Sequence, residues 1–168
     1  MRLLVLLTLW LWLAHSGQAQ EFPNGFSLPI EVGQGFNQPA GRSPLYLLTL
    51  QAVPQATLIP DHLRLGAVVG GFYPGGRVGV LAGPRLTIKL LQGPPILSAS
   101  SYNLHLLAEY LWATAPAGGR QLLGGGIGLG SSDLLVVSLK LHRDLVQPST
   151  WFQFGLSYNP AKRKIPPL

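Results

Sequence analysis

The chain reads as an all-β protein, an eight-stranded antiparallel up-and-down transmembrane β-barrel behind a cleaved signal peptide. Three observations predict this fold. Gly and Pro, 21 and 15 residues of the 168, cut the chain after its leader into eight segments, each near the roughly 9–11 residues that a tilted strand needs to cross a bilayer. One parity of every segment is an apolar stripe, free of charge except for Arg143 at the very end of the seventh. In three segments a pair of ionisable side chains falls together on the opposite parity.

The leader comes first. Arg2 supplies a positive start, Leu3 to Ala14 an apolar core, and Gly17-Gln18-Ala19 a small-x-small cleavage site, the pattern of a secretory signal. That core is shorter than the roughly 20 residues of a membrane-spanning helix. The expected organisation is a signal peptide at 1–19, a short lead at 20–27, a barrel at 28–158 and a basic tail at 159–168. Removal of the leader takes Arg2 with it, leaving 11 of the 12 basic residues against 6 acidic ones, a net charge of +5. There is no cysteine, which excludes a disulfide framework, a thiolate nucleophile and a zinc–thiolate site. Only 11% of residues are charged while 47% are hydrophobic, against about 25% charged for soluble proteins. Export and scarce charge together argue against nucleic acid as a partner despite the basic balance.

The separators "NQPAGRSP", "VPQATLIPD", "PGG", "QGPPILSAS", "APAGG", "GSSD" and "VQPS" leave segments at 28–34, 44–52, 62–73, 77–91, 102–113, 120–130, 134–143 and 149–158. The uncharged parity begins with Leu28, Ile30, Val32 and continues through Tyr46, Leu48, Leu50 and then Leu63, Leu65, Ala67, Val69. The fourth and fifth segments give Val78, Val80, Ala82, Pro84, Leu86, Ile88 and then Tyr102, Leu104, Leu106, Ala108, Tyr110, Trp112. Leu123, Ile127, Leu129, then Leu135, Val137, Leu139, Leu141, then Phe152, Phe154, Leu156, Tyr158 complete it. Pro84 falls inside a segment, and a bulge at Gly83-Pro84 is the expected accommodation.

The other parity carries Glu31, Arg64, Arg85, Lys89, His105, Glu109, Lys140 and His142. Arg85 with Lys89, His105 with Glu109, and Lys140 with His142 share a side within their own segments. "YNLHLLAEYLW", 102–112, also suits a helix, since Leu, Ala and Glu are good helix formers and Ser101 can cap one; the surrounding alternation decides for a strand. Eight continuous apolar stripes far exceed the patch a soluble monomer exposes. Lipid is the solvent that suits them, and a closed barrel leaves no strand edge unpaired in it. Strands running alternately up and down gather Tyr46, Tyr73, Trp112 and Phe152 near one rim and Tyr102 and Tyr158 near the other, the two aromatic girdles of a membrane barrel.

The last segment contains "QFGLSY", with Gln153, Gly155 and Tyr158. With the signal, the eight alternating segments and the girdles, the chain resembles small bacterial outer-membrane β-barrels of the outer-membrane protein A and X type over nearly its whole mature length. Two features depart from that pattern: the chain continues past Tyr158 as "NPAKRKIPPL", and its outer loops "PGG" and "APAGG" are short. The resemblance implies a bacterial outer-membrane location, with membrane lipids and the barrel assembly machinery as partners.

A barrel of eight strands is just wide enough for its side chains to fill. The eight inward ionisable residues are therefore expected to form a paired structural network, a plugged polar lumen rather than an open pore, since unpaired buried ions are costly. His105 lies with Glu109 on the fifth segment and His142 on the seventh, and the three are not expected to form a metal site. "GGGIGLG" at 124–130 matches neither G-x-G-x-x-G nor the P-loop pattern; Gly124, Gly126 and Gly128 are expected to make room for long lumen side chains. Ser131-Ser132-Asp133 have turn character. No catalytic residue, metal or cofactor is assigned. The expected role is structural or envelope-stabilising. The alternatives are a lipid-modifying barrel enzyme and a soluble exported barrel that holds an apolar ligand.

Overall fold

The computed structural model describes residues 25–60, 62–96, 100–115, 118–131 and 135–160. The expected leader, Ser132-Asp133 and the Lys162-Arg163-Lys164 tail lie outside them. Every element described is a β-strand: β1 Phe26–Ser27, β2 Ile30–Pro39, β3 Leu45–Ala52, β4 Gln55–Ile59, β5 Leu63–Pro74, β6 Gly79–Ile96, β7 Ser100–Ala115, β8 Gly118–Ser131, β9 Leu135–Asp144 and β10 Ser149–Tyr158. All pairings are antiparallel, and a β5–β6 ladder closes the sheet.

These ten strands make eight staves. Phe26 pairs with Ala56 and Ser27 with Gln55, and Ile30 then pairs with Ala52 in the same register. On the other side, Ala52 pairs with Val69 and Gln55 with Gly66, again in step. β1 with β2, and β3 with β4, are thus single staves interrupted at Pro29 and Pro54. Proline removes a ladder donor without changing chain direction, and the gap is stitched by Val53 N–H to Pro29 O at 2.8 Å and Ala67 N–H to Pro54 O at 3.0 Å.

Three sequence expectations are corrected here. "VPQATLIPD" is not a turn: Gln55–Ile59 is the second half of a stave. "QGPPILSAS" is strand as far as Ile96 and again from Ser100. No bulge sits at Gly83-Pro84, because Ala82↔Trp112 and Arg85↔Glu109 share one register and Pro84 itself pairs with Ala67. The β6–β7 irregularities lie instead between Lys89 and Leu91 and between Gln92 and Pro95. In each case proline marks a missing hydrogen bond, not the end of a stave.

The connections at 40–44, 75–78 and 145–148 share one end, the distal end; the chain enters and leaves at the other, the terminal end. Gly75 and Gly76, with φ of 57° and 106°, make the tight β5–β6 turn that side chains with a Cβ disfavour. Each stave alternates. Val32, Leu50, Val69, Val80, Leu106, Ile127, Leu141 and Phe154, one from each of the eight, are all exposed. Glu31, Arg64, Arg85, His105, Glu109, Lys140 and His142 are all buried. The barrel therefore carries its hydrocarbon outward and its ions inward, the reverse of a water-soluble sheet.

Candidate functional site

The lumen is layered. Its central layer is built by β2, β3, β6, β7 and β9, each aiming one or two polar side chains inward. Glu31 accepts from Arg85 Nη1 at 3.0 Å and from Lys140 Nζ. Glu109 pairs with Arg85 Nη2, lies 3.6 Å from Lys140 Nζ, and takes His142 Nε2 at 2.7 Å on its second oxygen. A carboxylate only accepts, so the Nε2 of His142 carries the proton of that bond. Gln51 Oε1 lies 3.4 Å from both Arg85 and Lys140. Two carboxylates thus face two fixed cations in a charge-balanced quartet. Arg85 and Glu109 are cross-strand partners on β6 and β7. Glu31 on β2 and Lys140 on β9 come from staves adjacent neither to those two nor to each other, so the pairs they make act as spokes across the lumen, which hydrogen bonds between neighbouring strands cannot do.

Arg64 and His105 are buried and Lys89 is half-buried; each makes interactions of its own. Lys89 and His105 are cross-strand partners. Of the residues considered for a metal, the fold joins His142 to Glu109. Among the described residues no group of three His, Asp or Glu is placed to hold an ion.

Above the quartet the distal lumen is apolar, a layer the sequence reading did not anticipate. Leu47, Leu81, Leu111, Leu122 and Phe72 surround Trp151, which is 1% exposed. The Phe72 and Trp151 rings are tilted with centroids 5.1 Å apart, and the Arg120 guanidinium lies 5.7 Å from the Trp151 centroid. Arg120 Nη1 reaches Asp144 Oδ2 at 3.5 Å, and Asp144 Oδ1 accepts from the amides of Val146 and Gln147 at 2.9 and 3.0 Å. Asp144 therefore shapes the 145–148 turn and anchors the Arg120 cation over the Trp151 ring. The signal for it was present: Lys140, His142 and Asp144 share one parity, but the seventh segment was closed at residue 143.

Gly124 and Gly126 do more than leave lumen space. A Cβ at Gly126 would run into the backbone of Leu139, and one at Gly124 into the backbone of Leu141 and His142. These glycines let β8 and β9 approach closely, a known use of strand glycine where the sheet bends sharply. Gly128 fits the expected space-making role better, since a Cβ there would meet mainly side chains, Val136 Cγ1 at 3.0 Å and His105 Cβ at 3.8 Å, with Val137 O also at 3.8 Å.

On the outer wall, Tyr46 pairs with Phe36 and Phe36 with Phe152, whose rings stack at 5.4 Å. Trp112 meets Tyr110 edge-on at 5.0 Å. With Tyr73, one pair from Tyr46's neighbour Leu48, these rings follow the distal rim. At the terminal rim, Tyr158 pairs with Leu135, Leu135 with Ser131, and Ser131 with Tyr102, so the two tyrosines share a level. Phe36 belongs to the distal belt and was missed because the first segment was closed at residue 34.

Among solved structures this chain matches Ail, the attachment invasion locus protein of Yersinia pestis, with a TM-score of 0.43 and 10% identity, over 82% of this chain and 99% of that one. No family model and no curated protein matches the sequence. The eight-stave closure stands on the chain's own strand pairing.

Proposed function

We propose that the protein is an integral outer-membrane barrel with a structural, envelope-stabilising role and a filled lumen in place of a pore. The observation that carries this reading is the outward apolar wall, continuous over all eight staves and bounded at both rims by aromatic rings. A bilayer's hydrocarbon suits such a wall, and the aromatic belts suit its two interfaces. The quartet and the Phe72–Trp151 layer account for the lumen: spokes of charge hold the middle and a ring of hydrocarbon closes the distal end.

Electrophoresis of the membrane fraction, with and without boiling, tests the reading. A closed barrel in detergent is expected to migrate differently before and after heating. One unchanged band, together with release of the protein by salt or alkali, would contradict it. Planar bilayers containing the folded protein should show no stable conductance steps; steps would contradict the filled lumen.

A further inference from the structure

The exposed arginines of the barrel stand at one end. Arg42 lies in the β2–β3 connection, Arg77 in the β5–β6 connection, and Arg143 near the end of β9, beside the 145–148 turn; all three are exposed. None of them forms an ion pair among the described residues. The one acid described at this end, Asp144, is buried and occupied by Arg120 and the turn amides. The rim therefore carries three positive charges with no acid among the described residues free to balance them.

Two features set the depth of these charges. Arg143 is the one charged side chain on the outward wall among the described residues, with Thr150 and Leu123 as its cross-strand neighbours. A charge on that wall is tolerated near the interface and costly at the midplane. The connections themselves are short and oily: Val78 is 71% exposed, and Leu145 and Val146 are 54% and 56% exposed. In water such tips would be unfavourable, whereas the zone between acyl chains and headgroups accommodates apolar and cationic groups together. The connections are also tied down, by Ala40 N–H to Pro148 O at 2.8 Å and Gly75 N–H to Tyr46 O at 3.1 Å. The arginines thus sit on a braced arc at headgroup depth.

We propose that Arg42, Arg77 and Arg143 bind the phosphate groups of anionic lipid headgroups in the leaflet at the distal end. The inference rests on the membrane reading above and adds a ligand class to it. A guanidinium presents paired donors that match two phosphate oxygens, and three such contacts are expected to favour anionic over zwitterionic lipid by on the order of 100-fold at low salt.

Trp112, exposed on the distal rim, is the reporter. The wild type and the triple variant Arg42→Gln, Arg77→Gln, Arg143→Gln are folded into phosphatidylcholine vesicles containing equal small fractions of brominated phosphatidylglycerol or brominated phosphatidylcholine. Wild-type fluorescence should be quenched far more by the anionic lipid, salt should weaken the preference, and the triple variant should lose it while keeping the heat-dependent mobility shift. Equal quenching of the wild type by both lipids, or an undiminished preference in the triple variant, overturns the proposal. If millimolar inorganic phosphate abolishes the preference at constant ionic strength, the arc reads free phosphate and the lipid assignment fails. A protein that shows no mobility shift and no quenching by either lipid has not inserted, and the membrane reading then falls together with this one.

Discussion

Glu109 touches three basic side chains, Arg85, Lys140 and His142, and Glu31 touches two of them, Arg85 and Lys140. Each carboxylate is the condition on which the buried cations remain tolerable. Removing one member of a buried ion network costs about 3–5 kcal/mol because it strands its partners. Glu31→Gln is therefore expected to lower stability by that amount in urea titrations of the vesicle-embedded protein. Adding Lys140→Met to Glu31→Gln restores the charge balance and should recover most of the loss; equal losses in the single and double variants would show that the quartet is not a coupled unit. Gly126→Val probes a different constraint. Its side chain would collide with the Leu139 backbone, so the heat-dependent mobility shift should disappear, while Gly128→Ala, whose nearest contact is the Val136 side chain and whose nearest backbone atom is 3.8 Å away, should retain it. At this scale the side on which each ionisable residue lies was legible, because an alternation of two leaves only two choices per stave. The partners were not. Register and stagger decide that Glu31 meets Lys140, 109 residues away, and no local pattern encodes stagger.

At the scale of the strand, the outward face makes the sharpest demand. Leu106 is exposed in the middle of β7, between Ile88 and Ile127 on its neighbours. Leu106→Arg should cost about 2–4 kcal/mol near a bilayer midplane, measured by the same urea titration, whereas Thr114→Arg, at the distal end of the same strand, should cost about 1 kcal/mol or less, as expected for a charge at the interface. Equal penalties at the two positions would contradict the depth assignment. The strands were mostly legible, and the last was delimited without error at Ser149–Tyr158. The errors cluster at proline. Pro54 was read as punctuation and Pro84 as a bulge, yet the register continues past both. In an isolated hairpin a lost donor weakens the pairing where it falls, but a stave in a closed barrel is held by ladders on both sides and spans the gap.

The whole molecule inverts the usual solvent preference, with hydrocarbon on the outside and ions and a buried tryptophan within. Closure was legible from the even count of alternating segments. The layering of the lumen was not, because Leu47, Phe72, Leu81 and Leu111 share the inward parity with the ions, and alternation alone does not say which inward side chains share a level. A chain without cysteine permits the most direct test. Single cysteines at Leu106, Leu139 and Phe154, and others at Ser138 and Gln153, are labelled with a small fluorophore and the barrels folded into vesicles of brominated lipid. Labels at the first three positions should be strongly quenched and labels at the other two should not. Equal quenching at all five, or quenching confined to Ser138 and Gln153, would contradict the account.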